Sequence, residues 1–150
     1  MFKILKSKDD LIIQMVIGRK LFDEIDKPIG YKIVYENSYG IESEGSWNGL
    51  VKGYNGFPDG KIVGSGNSFQ GKNGVIISDW EGVFTINEDK EQLTFKGRDM
   101  NKSDKFVVLR TYFTNSQKLS WINGLVCLLE GSFNKNDKEF RSLGYEWIFQ

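Results

Sequence analysis

Five Asn-Gly or Asp-Gly pairs, Asn48-Gly49, Asn55-Gly56, Asp59-Gly60, Asn73-Gly74 and Asn123-Gly124, punctuate the chain. These dipeptides tolerate the positive φ angles of tight hairpin turns, so their density points to antiparallel β structure. The intervals between turn signals agree. Asp10–Gly18, Tyr31–Glu36, Trp47–Tyr54, Val75–Ile86, Gln92–Gly97, Lys105–Phe113, Leu125–Phe133 and Lys138–Phe149 are rich in β-branched and aromatic residues, and Asn87–Glu91 and Asn134–Asp137 read as polar hairpin tips. No ten-residue helical stripe is present, although Arg19–Asp26 has room for one or two helical turns. Closely spaced strands without alternating helices predict an all-β antiparallel barrel of about eight to ten strands, calycin-like or lipocalin-like, with little helix. A chain of 150 residues fits one such domain, spanning residues 1–150.

Several strands are apolar on both faces. In Phe106–Phe113 one face carries Phe106, Val108, Arg110 and Tyr112 and the other Val107, Leu109, Thr111 and Phe113. The second face then calls for a cover: another strand layer, the amino-terminal segment, or a second copy of the chain. A homodimer or higher homo-oligomer is therefore expected.

Composition excludes more chemistry than it suggests. There is no histidine, which removes the commonest general base and the commonest metal ligand. Twenty basic residues balance twenty acidic ones, leaving no long-range field to draw the chain onto nucleic acid or an anionic membrane. The lone Cys127 lies in the most apolar run and reads as a buried core residue, with no intramolecular disulfide to form. Charges at Lys3, Lys6, Lys8, Asp9 and Asp10 interrupt any signal-peptide core, and no segment reaches the roughly 20 apolar residues of a spanning helix. A cytoplasmic protein without cofactor or metal is the expectation. Gly64–Lys72, GSGNSFQGK, lacks the Lys-Ser/Thr ending of a phosphate loop and reads as a loop with flexible glycines.

A Glu-Gly-x-aromatic pattern occurs at Glu44, Glu81 and Glu130. Alternation places each glutamate and its aromatic (Trp47, Phe84, Phe133) on opposite faces. Two readings follow. Either the aromatics fill the core and the glycines mark barrel corners, or the glutamates line a lumen that raises their pKa values. Arg110, Asp79 and Glu146 also interrupt apolar strands, and a buried charge needs a partner, so an Arg110–carboxylate pair is expected.

Arg110-Thr111 leading to Phe113, then Trp121-Ile122-Asn123 with Leu125, Gly131 and Tyr145-Glu146, form one set of marks. Gly30-Tyr31-Lys32, Glu44-Gly45 with Gly49-Leu50-Val51, Asp79, Glu88-Asp89 and Phe95-Lys96-Gly97 form another. With these the chain resembles the bacterial uncharacterised protein family 0311, short lipocalin-like β-barrel proteins of unknown function. The resemblance implies a barrel with a ligand cavity and a homo-oligomer; it implies no reaction.

Three functions remain open. The leading one is binding of a small, partly apolar molecule inside the barrel, with Trp80, Trp121 and Tyr145 as walls, Arg110 with Glu130 or Glu146 as polar anchors, and Tyr112 and Asn123 nearby. The second is an isomerase, cyclase or lyase in which Asp79, Glu130 or Glu146 moves a proton and Arg110 or Tyr112 stabilises negative charge. The third is an interaction protein whose barrel is filled by its own side chains.

Overall fold

The computed structural model describes residues 2–4 and 13–149. Residues 5–12, which include Lys6, Lys8, Asp9 and the start of the expected Asp10–Gly18 strand, lie outside the described residues. Nine strands follow in order: β1 (Phe2–Ile4), β2 (Ile13–Glu36), β3 (Gly40–Gly53), β4 (Gly60–Gly71), β5 (Ile76–Ile86), β6 (Gln92–Lys102), β7 (Lys105–Phe113), β8 (Val126–Asn134) and β9 (Glu139–Phe149). Each pairs antiparallel with the next, and β9 pairs back onto β2 from Met15↔Phe149 to Asp26↔Phe140. The result is a closed meander of eight strands with β1 appended to the start of β2; closure removes the free edges that an open sheet would expose. No helix long and apolar enough to cross a membrane occurs among the described residues.

Two expectations are corrected. Arg19–Asp26 is not helical but the middle of β2, which is a single 24-residue strand joining two of the expected pieces. Its period-two pattern is obscured in two ways. Irregular register between Ile17 and Phe22 lets Leu21 and Phe22 both be buried, and the strand then turns Glu24 and Asp26 inward while Ile25 is 41% exposed. The glycine-rich stretch from Gly64 is likewise not a loop but part of β4. Its glycines answer to neighbouring rings. A Cβ on Gly64 would lie 2.5 Å from the Trp47 ring and one on Gly66 2.9 Å from the Trp80 ring.

The same device recurs around the wall. Phe22 covers Gly144 and Phe106 covers Gly131, each pair directly opposite across adjacent strands, with 2.3 Å and 2.7 Å from the missing Cβ to the ring. Glycine in one strand thus accommodates a large ring from the next, which permits sharp coiling of a small barrel. Of the five turn pairs, Asn55-Gly56, Asn73-Gly74 and Asn123-Gly124 sit in connections, with positive φ at Asn55 and at all three glycines. Asn48-Gly49 lies inside β3, where Asp26 Oδ1 occupies the place of a Cβ on Gly49, and Asp59-Gly60 leads into β4.

The Glu-Gly-x-aromatic pattern resolves as barrel wall. Glu44, Glu81 and Glu130 are exposed, Trp47 and Phe84 are buried, and Phe133 is half-buried against Phe140. On β7, Val107, Leu109 and Phe113 are 49, 42 and 44% exposed, so no described strand layer covers that outer face.

The two ends of the barrel differ. Loops 54–59, 87–91 and 114–125 close one end, bringing Phe57, Leu119 and Ile122 onto Phe22, Phe84, Leu93 and Tyr112. Short turns at 37–39, 72–75, 103–104 and 135–138 leave the other end open.

Because Val63 O would lie 1.9 Å from a Cβ on Gly82, Gly82→Ala must displace backbone and is expected to cost about 1–3 kcal/mol in urea unfolding. Glu81→Gln beside it, on an exposed side chain, should stay within about 0.5 kcal/mol.

Candidate functional site

Inward positions change character along the barrel. Toward the closed end they are Phe, Leu, Ile and Tyr; toward the mouth they include Gly45, Gly97, Ser43, Ser68, Ser78 and Ser142. One cross-strand row runs Arg110, Gly97, Trp80, Gly66, Gly45, so two large side chains are separated by residues with none. The mouth half is consequently hollow, with a cavity of about 350 Å³, within the usual range for small-molecule sites. Trp47, Trp80, Phe95, Phe106 and Phe140 form much of its wall.

Its floor is ionic. Arg110 on β7 and Glu24 on β2 are 4% and 1% exposed and meet side-on, Nη1 to Oε1 at 2.7 Å and Nη2 to Oε2 at 2.9 Å. Arg110 Nη1 also donates to Tyr112 Oη at 3.0 Å, and the guanidinium lies 5.0 Å from the Phe95 ring centroid and 5.8 Å from that of Trp47. Burial disfavours the Glu24 carboxylate, but the charge and hydrogen bonds of Arg110 outweigh it and hold the carboxyl below its ordinary value.

Asp26, two residues along the same inward face, has the opposite fate. Burial first, then the charge of Glu24 and a hydrogen bond to it, hold Asp26 well above the carboxylate range, so it is a neutral acid donating to Glu24. The floor is thus one cation, one anion and one neutral carboxylic acid. Asp99 on β6 is also raised by burial, opposed by the hydrogen bond from Trp80, by the nearby Ser78 hydroxyl and by Arg110. Trp80 Nε1 donates to Asp99 Oδ2 at 2.8 Å, and Ser78 shares a 2.7 Å hydrogen bond with Ser68.

The residues singled out from sequence distribute as follows. Trp80 and Arg110 border the cavity. Tyr112 lies below it in the packed half, fully buried, with burial raising its hydroxyl pKa. Trp121 packs edge-on against Phe57 at the closed end, and Asn123 Oδ1 accepts from Thr114 N at 3.0 Å in the same closing segment. Glu130 is exposed on the outer wall, and Tyr145 shares that face opposite Leu128. Glu146 is paired with Arg19, its Oε1 accepting from Nε at 2.8 Å. Asp79 is exposed and bonded to Arg98 at 2.7 Å. The partner of Arg110 is therefore Glu24, not Glu130 or Glu146, because register turns Glu130 outward and Glu146 is engaged by Arg19. Cys127 is buried, and burial pushes its thiol up to about 12, so no thiolate is present near neutral pH. Sequence reasoning missed Glu24, Asp26 and Asp99; the available signal was Glu24-x-Asp26, two acids on one strand face two residues beyond the apolar Leu21-Phe22.

No protein-family model matches the chain, and no curated protein matches it in sequence. Solved structures do. A protein with unknown function from Clostridium acetobutylicum aligns at TM-score 0.72 and 13% identity, over 87% of this chain and 98% of the other. The barrel is shared. A β-barrel like protein from Acinetobacter baumannii aligns at TM-score 0.71 and 16% identity, over 90% and 97%. An enzyme from Penicillium herquei aligns at 0.63 and 18%, over 95% and 100%. At these identities the likeness is one of fold.

Arg110→Met leaves Glu24 as a buried charge without its counter-ion and is expected to cost about 3–5 kcal/mol in urea unfolding, whereas adding Glu24→Leu should restore most of that loss. Asp26 predicts the pH dependence. Folded, it keeps its proton; unfolded, it loses it above about pH 4, so this group makes stability fall as pH rises from there, by about 1.4 kcal/mol per pH unit until Asp26 itself titrates. Glu24 acts oppositely, its contribution being complete above its unfolded pKa and lost as pH falls through the folded one. Asp26→Asn is therefore expected to flatten the decline above pH 4 while leaving the acid limb in place.

Proposed function

We propose that the protein binds a small, partly apolar molecule in the mouth half of its barrel. The observation that carries this reading is the division of the lumen: one half packed by its own side chains, the other an aromatic-walled cavity opening between short turns, with its fixed charges already paired at the floor. A barrel whose role was purely to present an outer surface would have no need of glycine and serine at so many inward positions near the mouth. We infer further that the relationship to family 0311 holds, supported by the residue pattern and by the unknown-function and barrel-like structures of the same fold. Proton transfer is the second reading, favoured by one observation: a neutral acid, Asp26, beside an anion and a cation in the lumen. Asp79 and Glu130 face away from that space, so Asp26 or Asp99 would be its acid or base.

Native mass spectrometry of freshly purified protein, compared with its denatured mass, is expected to show a non-covalent adduct at one per chain. Ser43→Trp, which places a ring in the cavity, should abolish it. If neither the purified protein nor protein incubated with a small-molecule library carries an adduct that this variant removes, the binding reading is wrong.

A further inference from the structure

Three carboxyl side chains turn toward the cavity, Glu24, Asp26 and Asp99, against a single basic one, Arg110. The charge of Arg110 is already met within the protein. Both its terminal nitrogens are bonded to Glu24, one also to Tyr112, and three rings lie against the guanidinium. A ligand carboxylate would find no unpaired cation there and would face Asp99, a second acid. The unmet hydrogen-bonding capacity points the same way. Outside the Glu24–Asp26–Arg110 cluster, the buried cavity side-chain atom without a hydrogen-bond partner among the described residues is Asp99 Oδ1, an acceptor, the nearby Ser78 hydroxyl being shared with Ser68. Buried acceptors left unpaired are costly, and a ligand that brings donors removes the cost.

Building on the binding reading above, we propose that the cavity selects an organic cation: a primary or secondary ammonium seated at Asp99 and the Trp80 ring, with an apolar body lying against Trp47, Phe106 and Phe140. Asp99 supplies the counter-charge and its unpaired oxygen. Trp80 serves twice, its indole N–H orienting Asp99 Oδ2 at 2.8 Å while its ring face offers a cation–π contact. Burial disfavours an isolated Asp99 carboxylate, and an arriving ammonium stabilises it, so charge is matched only in the complex. The floor's neutral Asp26 stays out of this exchange because it keeps its own proton, which it donates in a hydrogen bond to Glu24.

The test is a three-way comparison on one aromatic body, with 2-phenylethylamine, 2-phenylethanol and phenylacetate titrated into the whole protein while the indole N–H resonances are followed by NMR. The amine is expected to bind about ten-fold or more tightly than the alcohol and the carboxylate most weakly, with one indole N–H shifting on amine addition and absent from that position in Trp80→Phe. Asp99→Asn keeps an acceptor for Trp80 and should bring the amine down to the alcohol's affinity in the same variant, whereas Glu130→Gln on the outer wall should leave the preference intact. Equal or tighter binding of phenylacetate, or an amine preference that survives Asp99→Asn, overturns cation selection while leaving a ligand cavity standing. If none of the three shifts any indole resonance at millimolar concentration, cation selection fails, and the adduct measurement above decides separately whether the cavity binds anything.

Discussion

The Glu24–Arg110 pair divides this barrel. It is a two-pronged, fully buried ion pair joining strands distant in sequence, and its position decides where side-chain packing ends and open space begins. Burying two charges is unfavourable unless geometry and further hydrogen bonds compensate. Here the compensation is specific: two charge-assisted hydrogen bonds, the Tyr112 hydroxyl, aromatic faces around the guanidinium, and a neighbouring Asp26 that remains protonated instead of adding a second negative charge. Below this layer the lumen is a conventional aromatic core. Above it, glycine and serine take many of the inward positions between aromatic walls, and the space is left for something else.

Glycine has two distinct uses in the wall. At Gly64, Gly131 and Gly144 it lets a ring from the adjacent strand lie flat across the backbone, which couples tight coiling to core packing. At Gly97 and Gly45, in the row that holds Arg110 and Trp80, it leaves volume unfilled. The barrel's curvature and its cavity therefore come from one compositional choice.

Much of the fold was legible in the sequence because its outer strands obey simple rules. Lys105–Phe113 is a strand with the bounds its composition suggests, and the tips near Asn87 and Asn134 fall where polar clusters place them. The site was less legible for a physical reason. Glu24 and Asp26 point into the barrel while Ile25 points out, an inversion of the usual alternation, so the segment that carries the floor is also the one whose strand character is hidden. Arg110 announced a buried charge, but its partner lies 86 residues away, and only closure of β9 onto β2 brings the β2 carboxylates into the lumen beside it. Gly64–Gly71 failed as a strand signal because its glycines are explained by Trp47 and Trp80, which sit on other strands.

The protonation pattern of the floor is the point on which the account turns, since a charged Asp26 would make the lumen's base anionic and unstable. Carboxyl carbon-13 chemical shifts of Glu24 and Asp26, assigned by Glu24→Gln and Asp26→Asn and followed from pH 3 to 8, measure it directly. At neutral pH Glu24 is expected to be ionised while Asp26 still carries its proton. An Asp26 resonance that titrates near the ordinary aspartate value of about 4 would contradict it.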